Sequence, residues 1–392
     1  RLSWEIASAP AGWAPTGADL KITRTDAAGA PLGEPEVLPL EAADGVLAPW
    51  PAPPLASRDR VVLRVRVTGR SSEAPDDAAS TDSDTDSPAD TGWSEPIAYE
   101  VGLLDPADWR ALPVGPSWPE NPLADRRPPR VRTEFDLPRP VVAARAYISA
   151  HGLIRAEIDG RRIGAELVPG WTVYGERLIA RTYDVTDLLT ASGDGTGAHA
   201  LGAQLADGWY RGHIGFDGGY RNLYGEDIAA VVQLEVTHDD GSRSLIATDA
   251  DWRAGVGEIL FTDLYDGEKV DARRAAPGWS RPGFDDSSWL PVEVGASDAE
   301  RLVMPTDAPV RAVETLRPVE VSVQERRVLS LGGGEAELSP ERVLIDFGQN
   351  ISGRLRIRVS GPAGTTIELR HAEVLEDGVL GTRPLRDAAA TD

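Results

Sequence analysis

Between Ala200 and Tyr224 the sequence interleaves flat aromatic side chains with short polar ones. Trp209, Tyr210, Phe216, Tyr220 and Tyr224 alternate with Asp207, Arg211, Asp217, Arg221 and Asn222. Gly208, Gly212, Gly215, Gly218, Gly219 and Gly225 separate them, which reads as a long shaped loop rather than a helix or strand. Ring faces stack on the C–H faces of a pyranose while fixed donors and acceptors take its hydroxyls. The chemistry this spacing suits is therefore carbohydrate recognition. Asp207, Trp209, Tyr210, Asp217 and Tyr224 are the candidate sugar contacts, joined by Trp171 after the Pro169–Gly170 turn. Each ring taken singly fits a hydrophobic plug beneath the loop at least as well; only the constellation points to a ligand.

A second cluster holds the acids Asp263, Asp266, Glu268 and Asp271. Strand alternation would set Asp266 and Glu268 on one face and raise the pKa of one of them, the arrangement that acid–base chemistry needs. The better reading is that these acids cap turns or face a neighbouring domain. Asp266 and Glu268 are then candidates for the rim of an active site completed elsewhere. His213 and His371 stand apart, and isolated histidines are more often surface or satisfied core groups than ligands.

The elements that must position these residues read as strands throughout, and the expected fold class is all-β, a tandem of sandwiches. Leu20–Thr23, Val61–Val67 and Ile97–Val101 alternate with period two inside a first unit over 1–104. A Ser-, Asp- and Thr-rich loop over 70–92 has almost nothing to bury and is expected to be disordered. Residues 105–130 form a Pro-rich linker whose Trp109 and Trp118 would pin it to a neighbouring domain. A jelly-roll unit follows over 131–300, with a tight hairpin at Asp159–Gly160 and a short helical turn at Thr186–Leu189. Residues 310–392 look like about half of another sandwich.

A length of 392 residues favours two to four domains. The formal net charge of −23 argues against nucleic acid and anionic membrane surfaces as partners, and no apolar run is long enough to span a bilayer. With no cysteines there are no disulfides, thiolate metal sites or cysteine nucleophiles. No signal peptide is visible, so a cytoplasmic location is expected. Both ends are abrupt, and the chain is expected to be a piece of a longer polypeptide.

Seven stretches carry a resemblance: Ala146–Gly152, Val168–Tyr174, Arg181–Leu189, Ala206–Gly212, Tyr265–Arg273, Asp346–Gly353 and Leu369–Leu375. In this order they resemble the N-terminal part of bacterial α-L-rhamnosidases, family 78 of the glycoside hydrolases. The first hundred residues fit more loosely, as a fibronectin-like module. The resemblance implies hydrolysis of terminal α-L-rhamnosyl groups with inversion, by carboxylates on an α/α barrel that follows the β domains in the same polypeptide. No catalytic residue would then lie within this chain, and its ligands would be rhamnose-containing glycosides or glycans. The 131–300 unit also resembles rhamnose-binding modules, some of which hold the sugar through calcium. Asp159 and Asp207 are the weak calcium candidates that this implies, and no other cofactor is expected. The competing readings are a stand-alone carbohydrate-binding protein and an adhesive tandem-sandwich protein with no ligand.

Overall fold

A computed structural model describes residues 1–9, 12–41, 45–71, 89–165, 167–216, 219–324, 327–331, 334–339, 342–376, 378–386 and 388–392. The expected disordered loop falls largely on 72–88, and Asp217 also lies outside the described residues. The architecture is all-β. Among the described residues the α-helices are the single turns Thr186–Leu189 and Gly208–Arg211, and no helix is long and apolar enough to cross a membrane.

Period-two alternation becomes two facing sheets in the central unit. In one, Val141–His151 lies between Ala229–His238 and Arg181–Asp184. In the other, Gly197–Ala206 lies between Leu153–Ile158 and Pro129–Leu137, with Arg253–Val256 beyond. Strand Leu290–Val294 pairs with Arg253–Val256 and with Val114–Pro116, joining the two sheets at a corner. Ala144, Ala146, Ile148 and Ala150 with Val232, Leu234 and Val236 face Ile154, Ala156, Ile158, Leu201, Ala203 and Leu205 across one core. Burying each valine, leucine or isoleucine of this core stabilises the fold by about 1.5–3 kcal/mol. Trp252 closes one end of this core and donates its indole N–H to the Ala247 carbonyl at 2.8 Å.

Val141–His151 is covered on its outer face too. Tyr147 packs there with Leu103, Trp109, Leu178 and Leu302, and Trp109 meets Tyr147 edge-on at 6.1 Å. The 105–130 stretch is thus built into the sandwich rather than strung between domains. Val114–Pro116 joins the hydrogen-bonded path, and Trp118 packs against the core. The first unit is a five-stranded sheet around Trp13–Arg24 and Arg60–Ser71, with Ala18, Leu20, Ile22, Val61 and Val67 as its core. Arg58 bridges the two units, forking onto Glu235 at 2.6 Å through both Nε and Nη2 and reaching Asp108 at 2.8 Å. Residues 310–392 contribute two-stranded ribbons, among them Glu320–Gln324 paired with Arg342–Asp346. Among the described residues the runs at Gly353–Val359 and Thr365–Leu369 form no strand, although Leu369 exchanges backbone hydrogen bonds with Asp392 at 2.8 Å.

The helical turn at Thr186–Leu189 is present, but neither Thr186 nor Asp187 caps it. Asp184 instead accepts from the Thr186 backbone N–H at 3.0 Å and from its hydroxyl at 2.6 Å. The calcium pair expected from Asp159 and Asp207 is not formed. The register runs from Leu201 opposite Ile158 to Ala206 opposite Leu153, which sets the two acids at opposite ends of this strand pair. Seven residues along the strand, at ~3.3 Å each, make a separation of roughly 23 Å, too far to share an ion.

Asp159 sits in the left-handed region at φ 51° and serves the hairpin instead. It accepts from the Ala200 N–H at 2.8 Å and faces His199 Nδ1 at 2.7 Å, while His199 Nε2 faces the Gly195 carbonyl at 2.9 Å. Both ring nitrogens thus meet acceptors, and the Asp159 bond, ahead of opposing burial, raises the pKa of His199. A raised histidine pKa contributes stability that is fully present below about pH 6.5 and is lost as pH rises through the higher folded value. Asp159→Asn keeps the turn, since Asn tolerates positive φ. Urea midpoints from pH 5 to 9 should show wild type ahead of Asp159→Asn at the acidic end and the gap closing as pH rises; a gap independent of pH would contradict this role.

Candidate functional site

The loop after strand Gly197–Ala206 is less open than its glycines suggest, because its first residues make a turn of helix. Asp207 ends the strand, Gly208 takes φ 54°, and Gly208–Arg211 coil once. A β-carbon on Gly208 would sit 2.6 Å from the Leu153 side chain, so the turn presses against the adjacent strand. Arg211 is fully buried at its base. Its Nε donates to Asp207 at 2.6 Å and its Nη1 to Glu120 at 2.6 Å and to the Glu226 carbonyl at 3.2 Å. Asp207 is buried to 1% exposure in this ion pair, so it positions the loop and cannot meet a sugar directly.

The returning limb is tied to the same base. Asn222, at φ 59°, donates its backbone N–H to the Arg211 carbonyl and its side-chain amide to the Pro122 carbonyl, and it accepts from Arg126 at 2.5 Å. Ile214 and Tyr220 exchange backbone hydrogen bonds nearer the tip, which leaves Phe216 and Tyr220 exposed.

This scaffold brings four of the expected contacts together. Trp209 lies parallel to Trp171, with ring centroids 6.1 Å apart and 2° between the planes. The Trp171 indole N–H donates to the Tyr224 hydroxyl at 3.2 Å. Trp171 is 58% exposed, so this pair presents a flat face to solvent. Tyr210 belongs to the group but is buried behind it, stacked on His151 at 5.1 Å and meeting Tyr174 edge-on at 5.2 Å. Gly225 is forced by this packing, since a β-carbon there would lie 2.1 Å from the Tyr210 hydroxyl oxygen. Burial raises the pKa of both the Tyr174 and the Tyr210 hydroxyl, which keeps them protonated donors. Tyr174 and His151 complete this cluster through their ring contacts with Tyr210, beyond the residues that the loop sequence marks. The Val168–Tyr174 run that holds both Trp171 and Tyr174 was the available signal.

The acidic hairpin Ile259–Asp263/Gly267–Val270 lies against the other side of the loop. Asp266 occupies its turn, so strand alternation does not set it beside Glu268. Asp263 is buried and accepts from the backbone N–H groups of His213 and Tyr265, both at 2.8 Å. Asp266 meets His213 Nδ1 at 2.6 Å, and His213 Nε2 accepts from Arg221 Nε at 2.8 Å. With Arg221 donating to Nε2, the ring proton lies on Nδ1 and points at Asp266.

Among the described residues this is the one convergence of metal-ligand side chains, with ligand atoms of His213, Asp263 and Asp266 within 4.8 Å of one another. Both imidazole nitrogens are already committed, so a cation would have to displace Arg221 or the Nδ1 proton. The arrangement is that of a hydrogen-bonded brace. Asp271 is likewise taken up: Arg273 first, with Arg274, holds its carboxyl down to about 2. Glu268 is the acid left over, half-buried and held above its ordinary pKa by burial and then by Asp392. The segment at 389–392 docks onto this hairpin, with Ala390 and Thr391 donating to the Tyr265 and Asp266 carbonyls at 2.9 and 3.2 Å.

Comparison with known proteins places these features in a family. Residues 1–83 match a Rha78A-like N-terminal immunoglobulin domain, residues 139–314 an α-L-rhamnosidase N-terminal domain, and residues 336–392 a bacterial α-L-rhamnosidase concanavalin-like domain. A curated α-L-rhamnosidase of Streptomyces avermitilis is 42% identical over 314 residues, which cover 78% of this chain and 28% of that protein. One from Alteromonas is 34% identical over 313 residues, 76% of this chain and 31% of its own length. Among solved structures, native α-L-rhamnosidase from Aspergillus terreus aligns over the whole chain and 41% of its own, with a TM-score of 0.82 and 37% identity. The S. avermitilis enzyme complexed with L-rhamnose aligns over 100% of this chain and 51% of its own, with a TM-score of 0.79 and 27% identity. The chain thus spans about a third of the curated relatives it matches. It belongs to the α-L-rhamnosidase family and consists of that family's non-catalytic N-terminal β domains.

Proposed function

We propose that this chain presents a rhamnosyl unit within an enzyme that hydrolyses terminal α-L-rhamnosyl residues with inversion, the acid and base being carried by a catalytic α/α barrel of the same polypeptide. The observation that carries this reading is the parallel Trp171–Trp209 pair with the Tyr224 hydroxyl at its edge. An exposed indole face accepts the C–H face of a pyranose, and a deoxy-sugar offers a methyl group as further apolar surface. The Tyr224 hydroxyl, which accepts from Trp171, keeps its own proton for a sugar oxygen.

Inversion needs a protonated acid and a base roughly 6.5–9.5 Å apart on opposite sides of the sugar. The acids around the aromatic loop are engaged otherwise: Asp207 with Arg211, Asp263 with backbone N–H groups, Asp266 with His213, and Asp298 with His151 and Arg301. Among the described acids Glu268 alone is held above its ordinary pKa, and its backbone N–H donates to the docked Asp392. It and Asp266 fit the rim of a site whose reacting groups come from the following domain.

Two measurements test this. Purified 1–392 should release no aglycone from an aryl α-L-rhamnoside; turnover by this chain would place the acid and base within it. Calorimetry with L-rhamnose should show binding that weakens about tenfold or more in Trp209→Ala and Trp171→Ala, the loss of one aromatic stacking contact. Unchanged heats in both variants would remove the platform from substrate handling.

A further inference from the structure

A second recess lies behind the aromatic loop, an open cleft of about 580 Å³ between the 118–127 segment and the strand end at Gly255–Val256. Its walls include Trp118 and Trp289, both only half-buried, and its floor carries Arg126 and Arg127. Trp289 lies flat over the backbone of Gly255, where a β-carbon would come within 2.4 Å of the ring, so its position is fixed by the strand beneath.

The two arginines are unlike their neighbours. Arg130, Arg132, Arg145 and Arg211 each meet a carboxylate directly. Neither Arg126 nor Arg127 does so among the described residues. Arg126 is 5% exposed and donates to the Arg211 and Glu226 carbonyls and to Asn222, while its Nε–H meets no acceptor. Arg127 donates one Nη2 bond to the Gly257 carbonyl at 2.7 Å, and its buried Nε–H is likewise without a partner. Burial lowers the pKa of both; Arg211 adds to the effect on Arg126, which Asp207 and Glu120 only partly oppose, and Arg274 adds to it on Arg127.

The two acids that line the cleft are already spoken for. Glu120 is bonded to Arg211 at 2.6 Å, and Asp125 to Arg221 at 2.8 Å. In a chain of net charge −23, two adjacent arginines that pair directly with no carboxylate among the described residues and stand beside two tryptophans suit an anion with a flat apolar face.

We propose that this cleft binds a carboxylate-bearing pyranose, a sugar of the uronic acid class, with its ring between Trp118 and Trp289 and its carboxylate on the partly exposed Arg127 guanidinium. A guanidinium presents a planar fork matched to a carboxylate, and the rings supply the stacking that a simple anion cannot use. The site is separate from the Trp171–Trp209 platform and does not depend on the reading given to that platform.

Calorimetry or tryptophan fluorescence with 1–392 and sodium D-glucuronate, D-glucose and acetate, at matched ionic strength, tests this. D-glucuronate should bind at least tenfold more tightly than D-glucose or acetate. Arg127→Gln and Trp289→Ala should each weaken it about tenfold, the loss of one charged hydrogen bond or one stacking face. Far-UV circular dichroism should be unchanged in both variants, and Trp209→Ala should bind D-glucuronate like wild type. Equal affinity for acetate would reduce the cleft to a plain anion site. Equal affinity for D-glucose, retention of binding in folded Arg127→Gln, or no binding of D-glucuronate by wild type would each overturn the proposal.

Discussion

The aromatic platform depends on one buried charge. Arg211 has no exposed surface, and its guanidinium is shared between Asp207 within its own turn and Glu120 from the 118–127 segment. Removing one partner of such a buried pair costs about 3–5 kcal/mol, because the remaining charge stays desolvated. The pair also fixes geometry. It closes the Gly208–Arg211 turn, and that turn sets Trp209 parallel to Trp171 and aims Tyr210 inward. The buried Asp207 Oδ2 and Arg211 Nη2 without further partners fit a site held for its shape rather than for maximal stability.

Around this base, bonds from three directions hold the loop. Arg126 and Pro122 take Asn222 on the returning limb. Asp263 and Asp266 take His213 on the outgoing limb. Arg221 reaches from the loop to Asp125 and back to His213, linking both sides. The same acidic hairpin receives the 389–392 segment, and Arg386 lies over Phe216 at the loop tip at 5.2 Å. One surface of the central sandwich therefore connects the aromatic loop to the concanavalin-like domain.

Much of this was legible in the sequence. Alternation over Val141–Ile148 and Leu153–Ile158 and the apolar run Ala200–Leu205 marked the strands, because side chains repeat every two residues on a half-buried strand and a strand covered on both faces is apolar throughout. The aromatic loop stood out because its glycines and rings are concentrated in one stretch. What could not be read was pairing across long separations. Asp207 looked like a ligand because its pair with Arg211 forms only once Gly208–Arg211 coils, and the second acid on that arginine, Glu120, lies 91 residues away. Asp159 and Asp207 both follow strands, but antiparallel register sends them to opposite ends of one pair. The Pro-rich 105–130 stretch read as a linker because its one ladder strand, Val114–Pro116, is too short to show a period.

The most direct test is the near-UV circular dichroism of Arg211→Gln, read against its far-UV spectrum. If the buried charge sets the platform, the signal of the coupled Trp171–Trp209 pair collapses while the β-sheet spectrum persists. An unchanged near-UV spectrum in the folded variant would show that the two indoles are held parallel by something other than Arg211, and would contradict the account.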